Sequence, residues 1–177
     1  MGRAAVGLAL AVAFSTSAFA GTVTHFTSNE GREVIVLSGE IAPGDSDQII
    51  GAIQTANTAG RSVSGLRLNS GGGNLVEGTK IADVVRYAKI ATVVANGSTC
   101  ASACFIALAA GKDKYVSYGA TVGVHGASAN GQETEGSRAA TVAMAKIVKQ
   151  LGVPPGIIGQ MVVTPPNQIV WLQPEDL

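Results

Sequence analysis

What this 177-residue chain lacks narrows its chemistry first. It has no surplus of charge, with 12 Lys and Arg against 12 Asp and Glu. A nucleic-acid-binding face needs an excess of Lys and Arg, so nucleic acid is not an expected partner. Only 14% of residues are charged and 46% are hydrophobic, which excludes a disordered acidic or basic chain. The 23 glycines have no three-residue period, which excludes a collagen helix. Beyond residue 20 no apolar run is long enough to span a membrane as a helix. There are two cysteines with no histidine close by in sequence, an incomplete zinc site, so no metal is expected.

The first twenty residues read as a leader. Arg3 is a short basic region, Ala4 to Phe14 is apolar, and Ala18-Phe19-Ala20 is a small-x-small cleavage site. Met1–Ala20 is therefore expected to be a cleaved signal peptide, with Gly21 opening a mature, secreted or periplasmic chain. A membrane anchor is the alternative, but the run is short and ends in Ser and Thr. The rest, 21–177, is expected to form one domain.

Along that domain, hydrophobic runs of strand length alternate with helical ones. Strands are expected at Gly21–Thr27, Glu33–Gly39, Ser64–Asn69, Ile90–Ala95, Lys114–Tyr118 and Thr121–His125, with a last one at Ile169–Leu172. A helix from Asp45 to about Ala59 has Asp45 or Ser46 as a candidate cap. Further helices are expected at Leu75–Ala88, Ala101–Ala110, Gly136–Leu151 and Pro155–Val163, with Asn96–Thr99 as a turn. The alternation predicts an α/β fold with a mainly parallel sheet flanked by helices. In such sheets chemistry gathers at the carboxyl ends of strands, so Ser70–Asn74, Asn96–Cys104 and the segment after His125 matter most.

Each motif has a plain structural reading beside a chemical one. The turn Gly71-Gly72-Gly73 can offer bare N–H groups to an oxyanion or a phosphate, or be only a turn. It is not a Walker loop, since no Gly-Lys-Ser/Thr follows, and Val76 breaks the dinucleotide fingerprint. Ser102 stands at a helix start after a buried strand, where it can cap the helix or act as a nucleophile. A nucleophilic serine needs a base, and His125 ends a strand where loops converge. A hydrogen-bonded structural histidine is the plainer reading of His125. Gly126-Ala127-Ser128-Ala129-Asn130 lacks the final glycine of a nucleophile elbow and is set aside. Cys100 and Cys104 flank Ser102. They are either bridged, stiffening its surroundings, or two buried thiols.

Taken together, Asn69-Ser70-Gly71-Gly72-Gly73, Gly78, Ala101-Ser102-Ala103 and Val122-Gly123-Val124-His125 closely resemble the Clp-type proteolytic subunit. Those are serine peptidases of the Clp/crotonase fold superfamily. The resemblance spans roughly Val34 to Gly126, and the leader and the Cys-x-Ser-x-Cys setting look like the secreted relatives. It implies repeated ββα units, Ser102 as nucleophile, His125 as general base, and the N–H groups of Gly73 and Ala103 as oxyanion hole. It also implies self-association into rings or trimers, a peptide or unfolded protein as substrate, and no cofactor. The family's third triad member is an Asp before the last strand. Thr164–Ile169 has no acid, so Asn167 is the positional candidate, and Asp176 lies too far on. The family also has proline where Gly71 stands.

Three functions are therefore weighed. The first is a secreted serine peptidase. The second is a weak or inactive scaffold of the same fold acting as a peptide- or protein-binding module, favoured by the missing acid. The third is a crotonase-like acyl-thioester enzyme, ranked last because no basic cluster awaits coenzyme A phosphates. The loop Gly126–Glu135 is expected to line the site, and Gly136–Leu151 is a candidate contact between copies, although ordinary core packing explains it too.

Overall fold

The computed structural model describes residues 21–176. The expected leader, Met1–Ala20, lies outside them. The chain runs β1 (Thr22–Thr27), β2 (Glu33–Ser38), α1 (Asp45–Thr58), β3 (Val63–Asn69), α2 (Leu75–Ala88), β4 (Ala91–Val94) and β5 (Thr99–Ala101). It continues through α3 (Ala103–Ala109), β6 (Lys114–Val116), β7 (Thr121–Val124), α4 (Glu135–Gln150), α5 (Pro155–Val163) and β8 (Val170–Trp171). A 3-10 turn at Pro174–Asp176 follows.

The strands form two sheets. The larger has the order β1-β2-β3-β4-β6, with β1 antiparallel at the edge and the other neighbours parallel. The smaller has the order β5-β7-β8, with β5 and β7 parallel and β8 antiparallel. The mainly parallel α/β fold is as expected from the alternation, but the single sheet is not. β5 falls largely where a turn and a helix start are expected. Its three residues carry no periodic signal of their own and become a strand by pairing with distant β7.

The chain passes between the sheets at Ser70, just beyond β3. Ser70 N–H donates to Thr99 O at 2.7 Å, and Ala101 N–H donates to Ser70 O at 3.0 Å. This delivers the Gly-rich turn beside Ser102. The core lies around it: Ile35 and Leu37 of β2, Leu66 and Leu68 of β3, Ile81 and Val85 of α2 are fully buried. Every residue of α3 is buried, and this helix touches both sheets. Its small residues admit close neighbours. A Cβ at Gly78 of α2 would lie 2.8 Å from Ala103 O, so glycine is what lets the two helices meet there.

Helix capping departs from the sequence reading at α1. Gly44, at φ 101°, holds the cap position with no side-chain hydrogen bond. Ser46 lies inside the helix, and its hydroxyl donates to Glu77 at 2.6 Å. Glu77 is buried, and its carboxylate also accepts from Ser46 N–H at 2.8 Å and Gly44 N–H at 3.1 Å, with Lys80 3.3 Å away. Burial pushes its pKa up, but the Ser46 and Lys80 partners outweigh that and leave it below the usual glutamate value. This knot ties the loop before α1 to the start of α2, whose own cap is Asn74.

Candidate active site

Ser102 occupies the joint between β5 and α3. Its backbone, φ 56° and ψ −124°, lies where non-glycine residues are strained. Such strain persists only where the surroundings over-determine it. Here Ser102 N–H donates to Gly123 O of β7 at 3.1 Å, and Phe105 N–H closes the first helical bond on Ser102 O at 2.9 Å. Cys100 of β5 and Cys104 of α3 are joined by a disulfide across the joint, with Cα atoms 5.2 Å apart and both residues fully buried. Of the two readings of this cysteine pair, the bridge is the one found.

The tight turn leaves the Ser102 side chain half-buried, and it accepts or donates no hydrogen bond among the described residues. Capping, the plain reading of Ser102, is therefore absent. Gly72 packs directly against it. A Cβ at Gly72 would lie 2.6 Å from Ser102 Cβ and 3.2 Å from its Oγ, and φ there is 110°.

Gly73 sits in a β-bridge to Ile41. Ile41 N–H donates to Gly72 O at 2.7 Å and Asn74 N–H to Ile41 O at 2.8 Å. In a parallel bridge the intervening N–H points the other way. The N–H of Gly73 has no backbone partner among the described residues, and neither does that of Ala103 at the head of α3. A side chain at Gly73 would run into Ile41 O, so only glycine suits this approach.

His125 follows β7 directly and is half-buried. Its Nδ1 lies 2.7 Å from Gly126 O. A carbonyl only accepts, so Nδ1 is the donor, and in the neutral imidazole this leaves the lone pair on Nε2. Gly126 is itself anchored, its N–H donating to Thr164 O at 2.9 Å. The next amide, Ala127 N–H, donates to Thr141 Oγ1 of α4 at 2.8 Å.

Ser102, His125 and Gly73 all line one open cleft of about 810 Å³. Glu40, Ile41, Leu75, Val76, Ala127, Ser128 and Met144 line it as well. The expected contribution of the Gly126–Glu135 loop is met by Ala127, Ser128, Asn130 and Gly131. No hydrogen bond joins Ser102 to His125 among the described residues. Asn167 is not brought to this cleft. It is exposed in the turn after Pro165-Pro166 and makes no hydrogen bond to His125. The ring nitrogen it was expected to meet is occupied by a backbone carbonyl. Three features of the site escaped the sequence reading: the Gly126 carbonyl, the Ile41 bridge and Glu40.

A larger depression of about 960 Å³, lined by Phe105, Tyr115, Leu151 and Ile157 among others, contains neither Ser102 nor His125. Among the described residues no cluster of His, Cys, Asp and Glu could hold a metal ion, and no helix is long and apolar enough to cross a membrane. In α4 the buried residues are Ser137, Thr141, Met144 and Val148, whereas Val142 is 53% exposed. This helix thus packs one face into the fold and leaves another open.

Comparison with known proteins agrees with this architecture. A family profile described as Clp protease matches residues 22–151. Among solved structures, ClpP1 from Listeria monocytogenes superposes with a TM-score of 0.63 at 16% identity, covering 81% of this chain and 84% of that one. A mutant of the 1510-N membrane-bound stomatin-specific protease gives 0.59 at 19% identity, covering 80% and 72%. Another mutant of that protease, in complex with a substrate peptide, gives 0.60 at 20%, covering 80% and 68%. No curated protein matches.

Proposed function

The chain belongs to the Clp protease family, and from that premise we propose that it is a secreted serine peptidase with Ser102 as its nucleophile. The observation that carries the reading is the strained Ser102 joint opening on the same cleft as His125 and Gly73, whose N–H has no backbone partner among the described residues.

In this reading a peptide lies in the cleft with its scissile carbonyl oxygen towards the N–H groups of Gly73 and Ala103. Ser102 Oγ attacks the carbonyl carbon while His125 Nε2 takes its proton. The developing oxyanion is held by the two N–H groups, each such donor contributing about 3 kcal/mol to transition-state stability. The imidazolium returns its proton to the leaving amine, and water then releases the acyl group by the same steps in reverse order of roles. The Gly126 carbonyl orients His125 and fixes the reactive tautomer. Being neutral, it stabilises the imidazolium less than a carboxylate would. In enzymes with an acid in that place, replacing it by a neutral amide costs about 10⁴ in turnover. A slow peptidase is the expected consequence.

The leader Met1–Ala20 supports export, and relatives in this family form oligomers and act on peptides. We propose that this chain does the same outside the cytoplasm. No acid bonds His125 among the described residues, which favours the alternative, a peptide-binding scaffold without turnover.

The two readings separate with a fluorophosphonate probe and intact-mass analysis of the processed protein. The peptidase reading expects one adduct per chain, lost in Ser102→Ala. Peptide binding with no adduct, unaffected by Ser102→Ala, would establish the scaffold instead.

A further inference from the structure

Asp45 is a buried acid that the chemistry above leaves unused. It is the first residue of α1 and only 1% exposed. Its Oδ2 accepts Ala42 N–H at 2.9 Å, and Oδ1 lies 3.4 Å from Gln48 Nε2. No Lys, Arg or His pairs with it among the described residues, whereas the two buried glutamates, Glu33 and Glu77, both have cations. A helix N-terminus offsets only about half an elementary charge. A buried carboxylate in this position calls for a further positive group.

Gly21 packs against this carboxylate. A Cβ built on it would lie 2.6 Å from Asp45 Oδ2, 3.2 Å from Asp45 Cγ and 2.9 Å from Glu40 O. The backbone of Gly21 is thus seated against the carboxylate, with no room for a side chain. Gly21 is also the residue that the small-x-small motif Ala18-Phe19-Ala20 would make the first of the processed chain.

We propose that Asp45 is a binding site for a primary ammonium, and that its ligand is the α-amino group created at Gly21 by removal of the leader. Hydrolysis of the Ala20–Gly21 bond by a leader peptidase consumes one water. It leaves a carboxylate on Ala20 and a protonated amine on Gly21. That nitrogen is one bond from the α-carbon already packed on Asp45, and loss of the preceding peptide lets it turn to the carboxylate. The pair closes the Glu40–Asp45 loop from outside. The same loop carries Ile41, whose bridge holds Gly72 and Asn74 and leaves the Gly73 N–H turned away from it, in a residue that lines the cleft. Processing would then set the oxyanion donor as well as release the protein. The inference rests on the export reading, but not on Ser102 being a nucleophile.

The test is to export the full chain, sequence the N-terminus of the purified protein, and follow acylation of its α-amino group by mass spectrometry at neutral pH. The expected first residue is Gly21. A paired ammonium has its pKa raised, and each unit of rise lowers the reactive free amine about tenfold. Acylation in the folded protein is therefore expected to be at least about tenfold slower than in urea, with most of that protection lost in Asp45→Asn. Gly21→Ala, which keeps the carboxylate but crowds the contact, is expected to lose protection too and serves if Asp45→Asn does not fold. A different first residue overturns the proposal. So does acylation as fast folded as unfolded, or protection unchanged in both variants. None of these readings involves Ser102, so failure of the peptidase reading would leave them standing.

Discussion

Ser102 and His125 open on the same cleft but are held by different kinds of force. Ser102 is set by covalent and core constraints: a disulfide across its turn, a fully buried helix after it, and a glycine packed against its side chain. His125 hangs on one hydrogen bond that it donates to its own neighbour's carbonyl, and beyond Ala127 the loop is mainly exposed up to α4. The contrast teaches where freedom remains. The Ser102 side is fixed by folding, because a strained φ of 56° cannot survive unless its surroundings enforce it. The His125 side is held by fewer contacts and is left freer to adjust.

The sharpest break in that comparison comes from His125 itself. His125→Ala is expected to slow fluorophosphonate labelling of Ser102 by about 10³, the usual scale for losing a positioned base, without lowering the unfolding temperature appreciably. On the nucleophile side the penalty is expected in stability instead. Gly72→Ala forces a methyl to within 2.6 Å of Ser102 Cβ at a φ of 110°, and is expected to cost about 3 kcal/mol by chemical denaturation. Removing the bridge with Cys100→Ala and Cys104→Ala together frees the short loop that it closes in the unfolded chain. It is expected to cost about 2 kcal/mol, and labelling should slow as the Ser102 turn relaxes.

These contrasts bear on what a sequence discloses. β2 and β3 are readable because their apolar residues alternate or run together between turn residues, as at Ile35 and Leu37. Ser102 and His125 are readable because a strand end followed by a small-residue turn exposes whatever polar side chain it carries. The group that orients His125 is not readable, since every residue has a carbonyl and only tertiary placement selects that of Gly126. Asn167 drew attention through its side chain and its position, yet the histidine's need is met by the backbone. The α1 cap misleads for a related reason. Ser46 suits a cap in isolation, but Glu77, thirty-one residues later, takes its hydroxyl for itself.

Smaller effects are expected at acid pH. Glu77 titrates below its ordinary value because of Ser46 and Lys80, despite burial, and Glu33 does so through Thr27, against the effect of burial, with His25 and Arg61 adding to it. A lowered folded pKa means the folded state binds fewer protons than the unfolded one in the interval between the two values. Their stabilisation is therefore complete above the unfolded value near 4.5 and is lost as pH falls below it. Urea titrations from neutrality to pH 3 are expected to show this decline, and Glu77→Gln to show less of it. The smallest effect belongs to Asn167→Ala, which is expected to leave the labelling rate unchanged. A marked slowing would move the orienting role from the Gly126 carbonyl back to that side chain.

The most direct measurement is a crystal structure of the protein carrying a phosphonyl group from the probe. The account predicts the phosphorus on Ser102 Oγ, its free oxygen within about 3 Å of both the Gly73 and Ala103 nitrogens, and His125 Nε2 within hydrogen-bond reach of the adduct. An adduct on another residue, or an oxygen turned away from those two amides, would contradict it.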